Sequence, residues 1–245
     1  MRSDSIRLLL LFALTIVLAS CTTQPAKPPT PLQLEGMRAK RIVVAPFNIA
    51  LPLPAELESS TQLVSDALIE RLEELEKNPQ PLEPDVGEAL WTASRDEVIR
   101  SGGVKNFESA ARVFASMIGE RTDFDAIIIP SLYIQNASTN YEAARWDGTT
   151  QRITFKGRAR QEIEMPPATT IPAASLLIYV LDTEGNTIHS KRTGIELLQH
   201  MEIRIQKKQG YDQRVWTLKD DDPPIENEAG VRAAVAHALY PYLPR

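Results

Sequence analysis

The chain has 245 residues, of which 43% are hydrophobic, 24% charged and 6% aromatic, the balance of a globular protein rather than of a disordered or fibrous one. Its net charge of -5 argues against a nucleic-acid-binding surface, which needs clustered lysine and arginine. The single cysteine, Cys21, leaves no intrachain disulfide and no thiolate metal cluster to hold the fold together.

The first element is a leader. Arg2 and Arg7 precede an apolar run from Leu8 to Leu18 that closes on Leu18-Ala19-Ser20-Cys21. That is a charged region, a short hydrophobic region and a small-residue cleavage site. A spanning helix needs about 20 apolar residues, so this run is too short to stay in the bilayer. The four closing residues resemble the lipobox of bacterial lipoprotein signal peptides, in which the cysteine after the cut receives a diacylglycerol on its thiol and an acyl chain on its new amino group. The resemblance implies that residues 1–20 are removed and that Cys21 is the lipidated amino terminus. Thr22, where an aspartate would retain the protein at the inner membrane, implies the outer membrane with the domain facing the periplasm. One acyl chain binds a membrane only marginally, but two or three, at about 0.8 kcal/mol per buried methylene, make a lasting anchor. The alternative is an ordinary secretory leader that Cys21 happens to follow. Losing the leader removes Arg2, Arg7 and Asp4, one net positive charge, so the mature chain moves from -5 to -6.

Residues 21–36 contain Pro25, Pro28, Pro29 and Pro31 among polar neighbours and read as an extended lipidated tether. Residues 37–245 then read as a single periplasmic domain. Lys40-Arg41-Ile42-Val43-Val44-Ala45-Pro46-Phe47 holds a β-branched run that fits a strand buried on both faces. Ser59 and Gln62 fit a capping box, and Val64, Ala67, Leu68, Leu72 and Leu75 follow at helical spacing. Asn78-Pro79, Pro81 and Pro84 are expected to stop that helix, leaving a looser stretch around Trp91 with a short helix from Arg95 to Ile99. Gly102-Gly103 reads as a helix stop and Asn106 as the cap of a helix whose Phe107, Ala110, Ala111, Phe114, Met117 and Ile118 form a stripe. This helix is expected to pack beside the first.

Phe124 to Gln135 reads as a second central strand, and residues 138–150 as a polar loop carrying Trp146-Asp147-Gly148. Ile153, Phe155, Gly157 and Ala159 alternate with polar residues as a half-exposed strand would. After a proline-rich loop (Pro166, Pro167, Pro172), Ala174 to Leu181 reads as a buried strand, Asp182-Thr183-Glu184-Gly185-Asn186 as a reversal, and Thr187 to Thr193 as the antiparallel return. Met201, Ile203 and Ile205 alternate again. A last helix runs from about Asn227 to Tyr240, with Val231, Ala234, Val235, Ala238 and Leu239 inward. The fold class expected is α/β (α+β): a mixed sheet of about five strands, two to three helices packed on it and a C-terminal helix.

The order of these elements, with "RIVVAPF", "FDAIIIPSLYI" and "SLLIYVLDTEGNTIHSKRTG", resembles the periplasmic α/β domain shared by several envelope lipoproteins. These include the curli-secretion channel subunit, the lipoprotein activators of penicillin-binding proteins, and the amino-terminal domain of the translocation protein TolB. The resemblance spans roughly residues 40–193 and implies a fold and a cellular address. Its members differ in activity.

No chemistry-bearing motif stands out. His189, His200 and His237 lack the paired spacing of a zinc site. There is no Gly-x-Ser-x-Gly elbow, and Gly102-Gly103 lacks the lysine of a phosphate loop. Glu162 and Glu164 share a strand face, whereas glycosidase carboxylates face each other from separate elements. Neither a cofactor nor a metal is expected, and a cell-wall hydrolase is disfavoured. The expectation is a non-enzymatic envelope protein, membrane-bound through Cys21, that acts on a protein partner as a scaffold, assembly or regulatory factor. The alternative is a subunit of an outer-membrane secretion pore. Partner-binding candidates are Tyr141, Arg145, Trp146 and Asp147, on a loop paired with the one from Met165 to Ile171. Trp146 is either packed on the domain or offered to the partner.

Overall fold

The computed structural model describes residues 29–140, 143–153, 155–156, 170–208 and 211–244. The chain divides into two units, Met1–Thr30 and Pro31–Arg245, and every helix and strand below belongs to the second. They run α1 (Pro31–Arg38), β1 (Arg41–Val44), a 3-10 turn (Ala55–Ser60), α2 (Thr61–Glu74), β2 (Asn78–Pro81), α3 (Pro84–Arg100) and α4 (Phe107–Gly119). There follow β3 (Ala126–Asn140), β4 (Ala143–Trp146), β5 (Thr149–Arg152), β6 (Phe155–Lys156), β7 (Thr170–Leu181), β8 (Thr187–Leu197), β9 (Gln199–Lys208), β10 (Tyr211–Asp220) and α5 (Glu228–Leu239). The fold is the expected mixed α/β sheet with a C-terminal helix.

The central sheet has the order β2-β1-β3-β7-β8, parallel through β1 and antiparallel from β3 onward. Its apolar runs feed two layers because successive strand side chains point to opposite faces. Ile42, Val44, Ile128, Leu176 and Ile178 face α2 and α5 in one core. Val43, Ala45, Ile127 and Ile129 face α3 and α4 in the other. The helix at Phe107 therefore does not pack beside the helix at Val64, as its stripe alone suggested; the two cover opposite faces of one sheet. A stripe shows that a helix has a buried side, not which face of a sheet receives it.

Several boundaries differ from the sequence reading, each for a local reason. Pro31 opens α1 inside the expected tether, where a proline's missing donor does no harm. Gly36 lies against the Tyr242 carbonyl, and the Lys77 ammonium donates to the carbonyls of Gly36, Met37 and Ala39 at 2.8, 3.1 and 2.7 Å, satisfying the end of α1. Burial, and secondarily Lys40, lowers the Lys77 pKa. The folded unit thus begins at Pro31, not Met37.

The prolines after α2 form an edge strand instead of a mere stop. Asn78 and Leu82 donate to the carbonyls of Lys40 and Val44 at 2.7 and 2.9 Å, so the alternation leaves Pro79 and Pro81 where no donor is required. Pro84 then starts α3, a single helix of 17 residues that takes in the stretch read as loose around Trp91. Ser59 sits in the 3-10 turn and caps nothing, while Gln62 bonds Asp66 at 2.7 Å instead. Asn106 does cap its helix, accepting from the Ser109 amide at 2.8 Å, and Asn227 caps α5 through Gly230 at 3.0 Å.

Asn48, at φ 60°, prolongs β1 with its side chain. Its amide donates to the Leu132 carbonyl at 2.8 Å and its carbonyl accepts from the Leu132 amide at 2.9 Å.

Candidate interaction surface

Beyond Leu132 the long strand β3 outruns β1 and takes a new neighbour. Its distal residues Ser138, Thr139 and Asn140 pair with Arg145, Ala144 and Ala143 of β4, and β4 pairs with β5. The stretch expected to be a polar loop is therefore largely strand and hairpin. Asp147 and Gly148 form its turn, at φ 38° and 73°, the two positive values that a two-residue type I′ connection requires. The dipeptide Asp-Gly is a strong short hairpin signal, which the reading of residues 138–150 as a polar loop passed over.

The hairpin lies on the β7–β8 pair. Thr149 donates to the Gly194 carbonyl at 3.0 Å, Gly194 to the Asp147 carbonyl at 3.3 Å, and Leu197 to Gln151 at 3.1 Å. Trp146 is buried at 5% exposure, and its indole N–H donates to the Ala174 carbonyl at 3.1 Å. It sits in a third apolar cluster with Ala137, Ala144, Ile171, Ala173 and Leu197. Of the two roles open to Trp146, the structure places it in packing. Ile171 likewise belongs to β7 and is fully buried, so it is no part of a loop.

The other candidates separate. Asp147 is half-buried and accepts a short hydrogen bond from the Tyr133 hydroxyl. Burial first, and then the Asp147 carboxylate, push the Tyr133 phenol well above its ordinary pKa. The Arg192 guanidinium lies 5.9 Å from the same ring, close enough for a cation–π contact. Arg145 is exposed on β4. Tyr141 and Cys21 lie outside the described residues, as do Met165 to Thr169, Glu162 and Glu164. Tyr133 and Arg192 escaped the sequence reading because strand residues carry no mark of what they will meet across a sheet.

A feature the sequence showed only in part is the arm. β9 and β10, ten residues each, pair antiparallel along their whole length, from Gln199 with Asp220 to Lys208 with Tyr211. They form a separate sheet in the order β10-β9-β6, and β6 joins parallel through Phe155 and Lys156. At its root, Met201 is buried, Leu218 is 37% exposed, and His200 bonds Asp221 through Nδ1 at 2.7 Å. Among the described residues, β10 has β9 as its one paired neighbour.

Among the described residues, no group of three or more histidine, cysteine or carboxylate side chains is placed to hold a metal ion. His189 is on β8 against Ala238, His200 is at the root of the arm, and His237 is on α5. No helix among them is long and apolar enough to cross a membrane. Comparison with known proteins finds no matching family model, no matching curated protein and no matching solved structure.

Proposed function

We propose that the chain is a lipid-anchored protein of the bacterial outer membrane whose periplasmic domain works through protein contacts, without catalysis. The observation that carries this reading is the β9–β10 arm. It is a ten-residue pair set apart from both helix-covered cores, and its outer strand has one strand neighbour among the described residues. A strand edge of that length can accept a partner strand through main-chain hydrogen bonds. The leader and Leu18-Ala19-Ser20-Cys21 support the address.

A second reading, a subunit of a secretion pore, is favoured by strand length alone, since about 9–11 residues cross a bilayer as a β-strand. Its weakness is the register. Met201 pairs with Leu218 and Ile203 with Trp216, but Gln199 pairs with Asp220, Ile205 with Arg214 and Lys207 with Asp212, so charge recurs along the pair where a lipid face needs an apolar band.

The test is an arm deletion, with residues 203–216 replaced by a short Gly-Ser turn in the full-length protein, so that Met201 stays in its apolar cluster. The partner reading expects an unchanged melting midpoint, loss of the proteins that co-purify with wild type after crosslinking in intact cells, and no conductance from the wild-type protein in planar bilayers. Discrete conductance steps that the deletion abolishes would establish the pore reading instead.

A further inference from the structure

Away from the arm, on the face covered by α3 and α4, an open cleft of about 280 Å³ lies between these two helices. Its floor is aromatic. Trp91 meets Phe107 at 5.7 Å between ring centroids and Phe114 edge-on at 5.4 Å, and Phe107 in turn rests on Tyr179 at 4.3 Å. A ring gripped from two sides holds its place before a ligand arrives, which lowers the entropy lost on binding. Ile99, 49% exposed, forms part of the apolar wall, and Val104, beside Lys105 in the chain, is 71% exposed.

The charge at the cleft runs against that of the molecule. In a chain of net charge -5, the ionic residues lining the cleft among the described residues are Arg95 and Lys105, with no carboxylate among them. Both cations are exposed, and neither makes an ion pair among the described residues, whereas Arg100 nearby is held by Glu97. On α3, Arg95 stands one turn after Trp91, on the same side of the helix. On the other wall, Lys105 precedes the cap of α4 and stands two residues before Phe107.

We propose that this cleft captures the C-terminal carboxylate of a partner polypeptide that ends in a large apolar residue. In such a terminus the carboxylate and the side chain leave the same Cα, so an anion and an apolar group arrive side by side, which is how the cations and the aromatic floor are arranged. A free carboxylate between Arg and Lys makes charge-assisted hydrogen bonds, and capture of chain termini is a recurrent recognition mode. The cleft is open to solvent and its volume is at the low end of the ~300–1,000 Å³ typical of pockets that engulf a small molecule, a shape that suits the end of a longer chain. The segment holding Tyr242 and Leu243 is not the occupant, because both are buried in the opposite core, against α2 and α5. The proposal is independent of the arm, which is a different surface of the domain.

The test is titration calorimetry on the full chain in phospholipid nanodiscs. The probes are a hexapeptide ending in phenylalanine with a free carboxylate, its C-terminal amide, the same peptide ending in serine, and N-acetylphenylalanine. The expected result is binding of the free acid, weakened at least about tenfold by amidation, by the serine ending, or by Arg95→Glu with Lys105→Glu. Because both substituted residues are exposed, the melting midpoint of that double variant should match wild type. Equal binding of acid and amide, no binding of the acid at about millimolar concentration, or an unaffected double variant overturns the proposal. N-acetylphenylalanine binding as tightly as the hexapeptide overturns the chain-end part and makes the site one for small aromatic acids. A double variant that fails to fold is replaced by Arg95→Gln with Lys105→Gln, judged by the same criteria.

Discussion

Gly194 leaves open the space that the Trp146 indole fills: a Cβ at Gly194 would lie 2.4 Å from Trp146 Nε1. The two residues belong to different hairpins, and their contact joins the β4–β5 hairpin to β8. Trp146→Ala removes the largest side chain of that cluster and the donor to Ala174, so it should cost about 3–5 kcal/mol and lower the melting midpoint by about 10 °C. Gly194→Ala should lower it as well, through the clash. Combining the two should cost less than the sum, because alanine at 146 removes what the new methyl strikes. Strict additivity in a calorimetric double-mutant cycle would show that the contact does not link the hairpins.

The legible parts of this fold were those where one residue type decides the matter. Ile42-Val43-Val44 and Ala126 to Ile129 read as central strands because only a strand buried on both faces tolerates a continuous apolar run. The inward residues of α5 were all visible from spacing, and the turn after Leu181 from Asp182 and Gly185, whose φ is 78°. The illegible parts depend on distant partners. Helix α1 is only eight residues long, with prolines just before it; what ends it are contacts from Lys77 and Tyr242, far along the chain. Trp146 among polar neighbours could be read as packed or as offered to a partner, because the alanines that bury it, Ala137 and Ala144, carry little hydrophobic signal of their own.

That dependence can be measured at Gly36. A Cβ there would stand 1.9 Å from the Tyr242 carbonyl oxygen, a backbone atom that cannot swing away. Gly36→Ala should therefore cost at least about 1–3 kcal/mol despite alanine's better helix propensity. Lys77→Met keeps the length of the stem and leaves three carbonyls short of a donor, which should cost about 1–3 kcal/mol. Trypsin digestion offers a second readout, with earlier cleavage at Arg38 in both variants. Wild-type midpoints in both would mean that α1 is not docked in solution.

The address rests on Cys21, and mass spectrometry of the mature protein tests it directly. The expected mature chain begins at Cys21 and carries a diacylglycerol plus an amide-linked acyl group, and Cys21→Ser should release the domain from the membrane fraction. A mature chain that starts elsewhere with an unmodified thiol would leave an ordinary secretory leader as the explanation of the apolar run.

His189 gives the fold a pH dependence whose sign can be worked out. It is 8% exposed on β8, with Nε2 2.8 Å from the Ala238 carbonyl near the end of α5 and its ring stacked at 6.4 Å on Tyr242. A carbonyl only accepts, so Nε2 carries the proton of the neutral ring. Burial lowers the His189 pKa; the Ala238 carbonyl opposes that shift, and Lys191 adds to it. With the folded value below the unfolded one of about 6.5, the unfolded chain takes up the proton first. The stabilisation is then complete above about pH 6.5 and is lost as pH falls through the folded value. His189→Gln retains a donor for Ala238 and removes the titration. Between about pH 7.5 and 5.5, the wild-type midpoint should therefore fall further than that of the variant. Asp125, whose pKa is lowered chiefly by the Arg41 amide, titrates below this window. Parallel declines in the two proteins would show that His189 is not held neutral by the fold.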